Sequence, residues 1–96
     1  FYVSEGGGAL FFRGPTDAGQ AINYPAPGFY SDLALTQKVS STAAGFGSND
    51  TVHEKVAATP GSSYYVGDEQ GKRYQIVISK TADGVGVEVR DPGAVQ

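Results

Sequence analysis

The sequence predicts an all-β fold, a single antiparallel β-sandwich or barrel-like domain over residues 1–96 that ends in a three-stranded meander. Apolar or alternating stretches of strand length recur along the chain, and turn residues separate them. The clearest pattern lies in residues 64–91, where three strand-like stretches are joined by two turns that contain Gly. A chain of 96 residues is long enough for one thin core.

The first two elements are predicted to form a hairpin. Residues 1–4 and 9–13 are mostly apolar, and they flank the glycines at positions 6–8. Glycine adopts positive φ without penalty, which a tight reversal requires. The same glycines leave a second arrangement open, in which residues 1–4 detach and add to the sheet edge of a neighbouring copy.

Residues 14–28 are predicted to form a long loop rather than a strand. Pro15, Pro25 and Pro27 each remove a backbone donor and fix φ. A connection of this length is longer than most, so it is a candidate recognition surface.

Residues 29–41 fit two kinds of secondary structure. Leu33, Leu35 and Val39 would share one face of a strand. The alternative is an α+β fold with one helix within residues 31–44, which Ser31 would cap and Gly45 would close. The run of Thr, Ser and Val residues favours the strand, because these residues are poor helix formers.

The second half of the chain is predicted to contain four strands. Tight turns are predicted at 60–63, 67–72 and 80–84, and the tail from Pro92 is predicted to be frayed. The predicted elements are a loop at 43–50, a strand at 51–58, a turn at 60–63, and meander strands at 65–66, 73–79 and 85–90.

Charge and composition exclude several classes of function. Seven Lys and Arg residues against ten Asp and Glu residues give a net charge of −3, without a basic cluster. Nucleic-acid binding needs a positive face, so no nucleic-acid partner is expected. No apolar run approaches the roughly 20 residues of a membrane-spanning helix, so no membrane span is expected. The chain has no cysteine, which excludes disulfides and thiolate metal sites.

The sequence contains no recognisable catalytic motif, so we expect no enzyme, no cofactor and no metal site. His53 is the only histidine, and a triad around it would need a serine and an acid from distant strands. No serine lies in a Gly-x-Ser-x-Gly elbow. The Gly-rich stretch before Ala9 precedes a strand, whereas a phosphate-binding loop opens a helix. Asn49 fits the N-glycosylation pattern, which short sequences match by chance.

Adjacent aromatic pairs are the most suggestive feature for binding. In a strand, one member of each pair faces the core and the other faces outward, where it can anchor a partner. The apolar N-terminal strand would contact a neighbouring copy in the exchange arrangement. The candidate partner-binding residues are therefore Phe1, Tyr2, Val3, Tyr24, Phe29, Tyr30, Tyr64 and Tyr65.

The expected function is non-catalytic and depends on protein–protein contact. The first hypothesis is a structural or assembly subunit of a virion or extracellular filament, whose partners are copies of itself. The second is a small extracytoplasmic domain that binds or inhibits a protein or carbohydrate through aromatic loops. Both hypotheses place the protein outside the cell, at the cell surface or in a virion.

Overall fold

The computed structural model describes residues 2–15, 27–42, 51–68 and 71–91, and the fold within these ranges is made of antiparallel strands without a helix. This confirms the all-β prediction, including the C-terminal meander. The seven strands are β1 (Tyr2–Gly6), β2 (Ala9–Pro15), β3 (Ser41–Thr42), β4 (Thr51–Ala57), β5 (Ser63–Gly67), β6 (Arg73–Thr81) and β7 (Gly84–Arg90).

The strands form two sheets. The first has the order β1-β2-β4-β3, the second has the order β5-β6-β7, and all neighbours are antiparallel. β1 and β2 form the predicted hairpin. Gly7 and Gly8 occupy its turn with φ of 61° and 83°, the conformation of a type I′ turn, which matches the twist of the strands it joins.

Residues 27–40, here called the connecting segment, link the two sheets at Tyr30. The backbone of Tyr30 forms a bridge with Lys38, which leads into β3, and another with Tyr65 of β5. The N–H of Tyr30 donates to the carbonyl of Tyr65, and the N–H of Tyr65 donates to the carbonyl of Tyr30, both at 2.8 Å. The backbone pairing is therefore continuous from β3, through residues 38 and 30, to β5.

The core lies between the two sheets. Phe29 is at its centre, with its ring centroid 6.1 Å from Phe12 of the first sheet and 5.8 Å from Tyr64 of the second, both in edge-to-face geometry. The buried hydrophobic cluster comprises Leu10, Phe12, Phe29, Ala58, Val66, Ile76 and Ile78. Half-buried Val3, Val56, Tyr64, Tyr74, Val85 and Val87 surround it.

The prediction of a strand at residues 29–41 was wrong, and residues 31–42 are not helical either. Only the bridges at Tyr30 and Lys38 and the two-residue β3 are extended there. The Asp32 carboxylate accepts hydrogen bonds from the N–H groups of Thr36 and Gln37, which closes a loop. Leu35 has a φ of 60°, which neither a strand nor a right-handed helix allows.

The predicted start of the proline-rich loop was also wrong, because β2 continues to Pro15. Pro15 pairs with Thr51 at the last position of the ladder, where a missing backbone donor costs least. The rest of that loop, residues 16–26, and the predicted loop at 43–50 with Asn49 lie outside the described residues.

Candidate functional site

Among the described residues, the predicted aromatic side chains of Phe29, Tyr30, Tyr64 and Tyr65 do not form one exposed patch. Phe29 is 0% exposed and Tyr30 is 6% exposed, so neither can meet a partner in this fold. Tyr30 does not lie on an open strand, because its backbone is paired with Lys38 and with Tyr65, and the ring of Phe29 lies in the core.

The other predicted binding residues are divided between the core and the sheet margins. Val3 and Tyr64 are half-buried and pack against the core, and the Tyr64 hydroxyl donates to the carbonyl of Ala57 at 3.0 Å. Tyr65 is half-buried on the opposite face from Tyr64. Tyr2 is the first residue of β1, while Phe1 and Tyr24 lie outside the described residues.

A buried polar cluster, which the sequence analysis missed, joins the connecting segment to β4. Glu54 is 1% exposed, and its Oε1 accepts a hydrogen bond from Ser40 Oγ at 2.8 Å. The same oxygen forms an ion pair with Lys38 Nζ at 3.0 Å. Ser40 Oγ in turn accepts from the N–H of Phe29 at 3.0 Å. The available sequence signal was the alternation Val52, Glu54, Val56, which puts the glutamate on the apolar face of its strand.

This cluster has the properties of a structural link. The Ser40 hydroxyl accepts from the Phe29 N–H and donates to the Glu54 carboxylate, so it links the backbone of residue 29 to β4. Burial raises the pKa of Tyr30, and the charge of Glu54 raises it further, with a smaller effect from Asp32. The pairing of Lys38 with Glu54 offsets part of the cost of burying the carboxylate.

The loop at residues 31–37, here called the Asp32 loop, is closed by hydrogen bonds and is strained at Leu35. Asp32 accepts from Thr36 Oγ1 at 2.6 Å and from the Gln37 N–H at 2.8 Å. Arg73 Nε donates to the carbonyl of Leu33 at 3.2 Å, which ties the loop to β6. Leu35 has a left-handed backbone conformation, which is strained and is uncommon for residues other than glycine and asparagine.

The outer side of β7 is an open sheet edge among the strands that the structure describes. The N–H of Ile78 donates to the carbonyl of Ser62, the residue before β5. Because hydrogen-bonding direction alternates along a strand, the backbone groups of even-numbered residues of β6 point toward β5 and those of odd-numbered residues point toward β7. Thr81 lies opposite Gly84 at the turn, so the odd-numbered residues of β6 exchange hydrogen bonds with the even-numbered residues of β7. The N–H and C=O groups of Val85, Val87 and Val89 therefore point away from β6, and we call them the β7 edge.

The side chains around the β7 edge are apolar on one face and charged on the other. Val89 is paired in register with core residue Ile76, yet it is 51% exposed, and no described strand lies beyond β7 to cover it. On the opposite face, Arg90 NH2 lies 3.0 Å from Glu88 Oε1, and both side chains are more than half exposed. This contact lowers the pKa of Glu88 and raises that of Arg90, in each case first through the hydrogen bond and then through charge.

No metal-binding cluster was found in the described ranges, where no group of three or more His, Asp or Glu side chains converges. His53 lies in β4 opposite Arg13 of β2. A search of the same ranges for a helix long and apolar enough to cross a membrane found none.

Comparisons of this chain with protein-family models, with curated proteins and with solved structures found no match.

Proposed function

We propose that this chain is a non-enzymatic structural subunit that assembles with copies of itself by pairing open sheet edges, as a component of a virion or an extracellular filament. The observation that supports this most is the β7 edge. It belongs to a seven-residue strand that contains no proline and has half-exposed Val89 near its end. Such an edge offers a row of backbone donors and acceptors to an incoming strand.

The composition of β7 supports pairing rather than protection. Natural sheets blunt exposed edges with proline, bulges, lysine or inward-pointing charges. β7 has none of these in Gly84–Arg90, and its two charges, Glu88 and Arg90, neutralise each other on the solvent face. Its valines lie on the core side, so an added strand would extend an apolar surface that already exists.

Among the described strands, β1 is another open edge, at the end of the first sheet opposite β3. By the same alternation from the Gly7-Gly8 turn, the backbone groups of Val3 and Glu5 point outward. We favour edge addition here over exchange of the N-terminal strand. The type I′ turn holds β1 against β2 over five residue pairs, which release would break.

Sedimentation analysis of the purified chain tests the proposal. We expect a mass above the 10.0 kDa monomer as concentration rises toward about 1 mM, because single-edge contacts are small and weak. Val89→Pro should reduce association, since proline removes an outward N–H while leaving the bonds to β6 intact. Val3→Pro tests the β1 edge in the same way.

Alanine variants are the matched controls. Val89→Ala and Val3→Ala trim the same side chains but keep the backbone donors, so they should associate more strongly than the proline variants. Circular dichroism checks that each variant keeps its β-sheet. A wild-type chain that remains monomeric throughout the concentration range overturns the proposal.

A second candidate function, a binding or inhibitory domain, is favoured by the Asp32 loop. Its hydrogen bonds close the loop around Leu33, Ala34 and Leu35 within the chain itself, and a loop that is ordered before binding loses less entropy on binding. If this loop is the contact, a partner that binds the wild-type chain should lose affinity for Ala34→Asp and for Asp32→Ala. Unchanged affinity in both variants would exclude the loop.

A further inference from the structure

We infer that the β7 edge pairs with the β7 edge of a second copy in one register, an antiparallel two-fold pair centred on Val89. The inference rests on the proposed assembly function and specifies its contact. In this arrangement Glu88 of each copy lies opposite Arg90 of the other, and the two Val89 residues face each other across the symmetry axis.

Backbone geometry first limits the registers that are open to such a pair. Only odd-numbered residues of β7 direct their N–H and C=O groups outward, so an odd-numbered residue must lie opposite another odd-numbered residue. If the register shifted by one residue, the outward N–H and C=O groups of one β7 strand would lie opposite residues of the other strand whose N–H and C=O groups point inward. A two-fold axis is therefore restricted to a residue position, and every residue of β7 from Gly84 to Arg90 satisfies this rule.

Charge then discriminates among these positions. An axis at Glu88 puts Glu88 directly opposite its own copy, and an axis at Arg90 does the same for Arg90; both oppose like charges, which destabilises a pair of strands. An axis at Val87 sets Glu88 opposite Gly86 and Arg90 opposite Gly84, and an axis at residues 84–86 sets these charges still further apart, so the charges gain nothing. Only the axis at Val89 sets each Glu88 opposite an Arg90.

The existing contact between Arg90 and Glu88 makes this register favourable. The two side chains already lie 3.0 Å apart on the solvent face of one strand. A second copy would add two cross-strand pairs, so that four charges of alternating sign surround the axis, where several charges in a network hold better than an isolated surface pair. On the other face, the half-exposed Val89 would be covered by its counterpart.

Introduced cysteines test the register, because the chain has none of its own and each would be the only thiol. Opposed residues in a hydrogen-bonded antiparallel pair lie about 5.5 Å apart at Cα, within the range of a disulfide. Val89→Cys should therefore give a covalent dimer under mild oxidation. Val87→Cys should not, since the two copies of that position lie four residues out of step. Ser63→Cys, exposed in β5, measures random collision.

Charge reversal tests the pairing without a cross-link. Glu88→Arg alone or Arg90→Glu alone turns both cross-strand attractions into repulsions, so the dimer dissociation constant should rise about tenfold. The double variant E88R/R90E restores opposite charges and should return close to wild type. An equimolar mixture of the two single variants should form a heterodimer more tightly than either forms a homodimer.

The possible outcomes separate the inference from the function on which it rests. If the wild type associates but Val87→Cys cross-links in place of Val89→Cys, or the double variant stays as weak as the single ones, the register is wrong and self-assembly stands. If Val3→Pro abolishes association and Val89→Pro does not, β1 is the contact and the inference fails. If the wild type is monomeric, both fail.

Discussion

Gly28 shows how a single residue sets the position of the buried polar cluster. Its φ is 148°, and a β-carbon built there would lie 2.8 Å from Ser40 Oγ and 3.0 Å from Lys38 Cε. The absence of a side chain at Gly28 therefore lets Lys38 and Ser40 reach Glu54. The cluster depends on backbone shape as much as on the charged and polar groups themselves.

Replacing Gly28 with alanine should therefore lower the free energy of unfolding by about 1–3 kcal/mol, because both the positive φ and the close contacts oppose a β-carbon. Gly61→Ala is the matched control: its φ is 91°, but nothing lies within 4 Å of the added carbon. It should cost about 1 kcal/mol from the backbone alone. Urea denaturation of both variants measures the difference, and equal losses would show that the cluster tolerates the extra carbon.

At the scale of the element, the Asp32 loop illustrates local hydrogen bonds that override strand propensity. Residues 29–41 carry the alternating pattern of a strand, but one carboxylate that accepts bonds from Thr36 and Gln37 turns the backbone back on itself. Side chains of Asp compete in this way with ladder bonds wherever a turn is within reach. The pattern of apolar residues alone does not reveal this competition.

The Asp32 loop should also make stability depend on pH. The hydrogen bond from the Thr36 side chain, helped by the backbone N–H groups of Gln37 and Thr36, lowers the pKa of Asp32 below its ordinary value of 3.8. A carboxyl group whose pKa is lowered by folding contributes stability above that ordinary value, and the contribution is lost as pH falls through the folded pKa.

We therefore expect the stability of the wild type to fall more steeply below pH 3.8 than that of Asp32→Asn, which has no charge to lose. Urea denaturation over a series of acidic pH values makes the comparison. Glu88 also has a lowered pKa and contributes to both proteins, so the difference between them isolates Asp32. Parallel pH profiles would contradict the assignment.

At the scale of the whole molecule, Phe29 connects the two sheets. It comes from the connecting segment, and its ring contacts Phe12 on one sheet and Tyr64 on the other. The backbone of the next residue, Tyr30, pairs with β5. The same two residues thus supply the centre of the core and the backbone link between the sheets.

Phe29→Ala should lower the free energy of unfolding by about 3–5 kcal/mol, a large part of what a domain of this size has. Phe29→Leu keeps most of the volume and should cost less than about 1.5 kcal/mol. Thermal or urea unfolding measures both. A loss in the alanine variant no larger than in the leucine variant would mean that the sheets are joined by other contacts.

What the sequence alone determined is the fold class and the hairpins. Turn glycines and period-two alternation act between near neighbours, so the β1–β2 hairpin and the C-terminal meander could be recognised from them. Only the tertiary structure decided that Phe29 and Tyr30 are buried and that Glu54 is enclosed. It also decided that the outer side of β7 is left open among the described strands. These properties depend on which strands become neighbours, and strand order is set by long-range packing that no local pattern encodes.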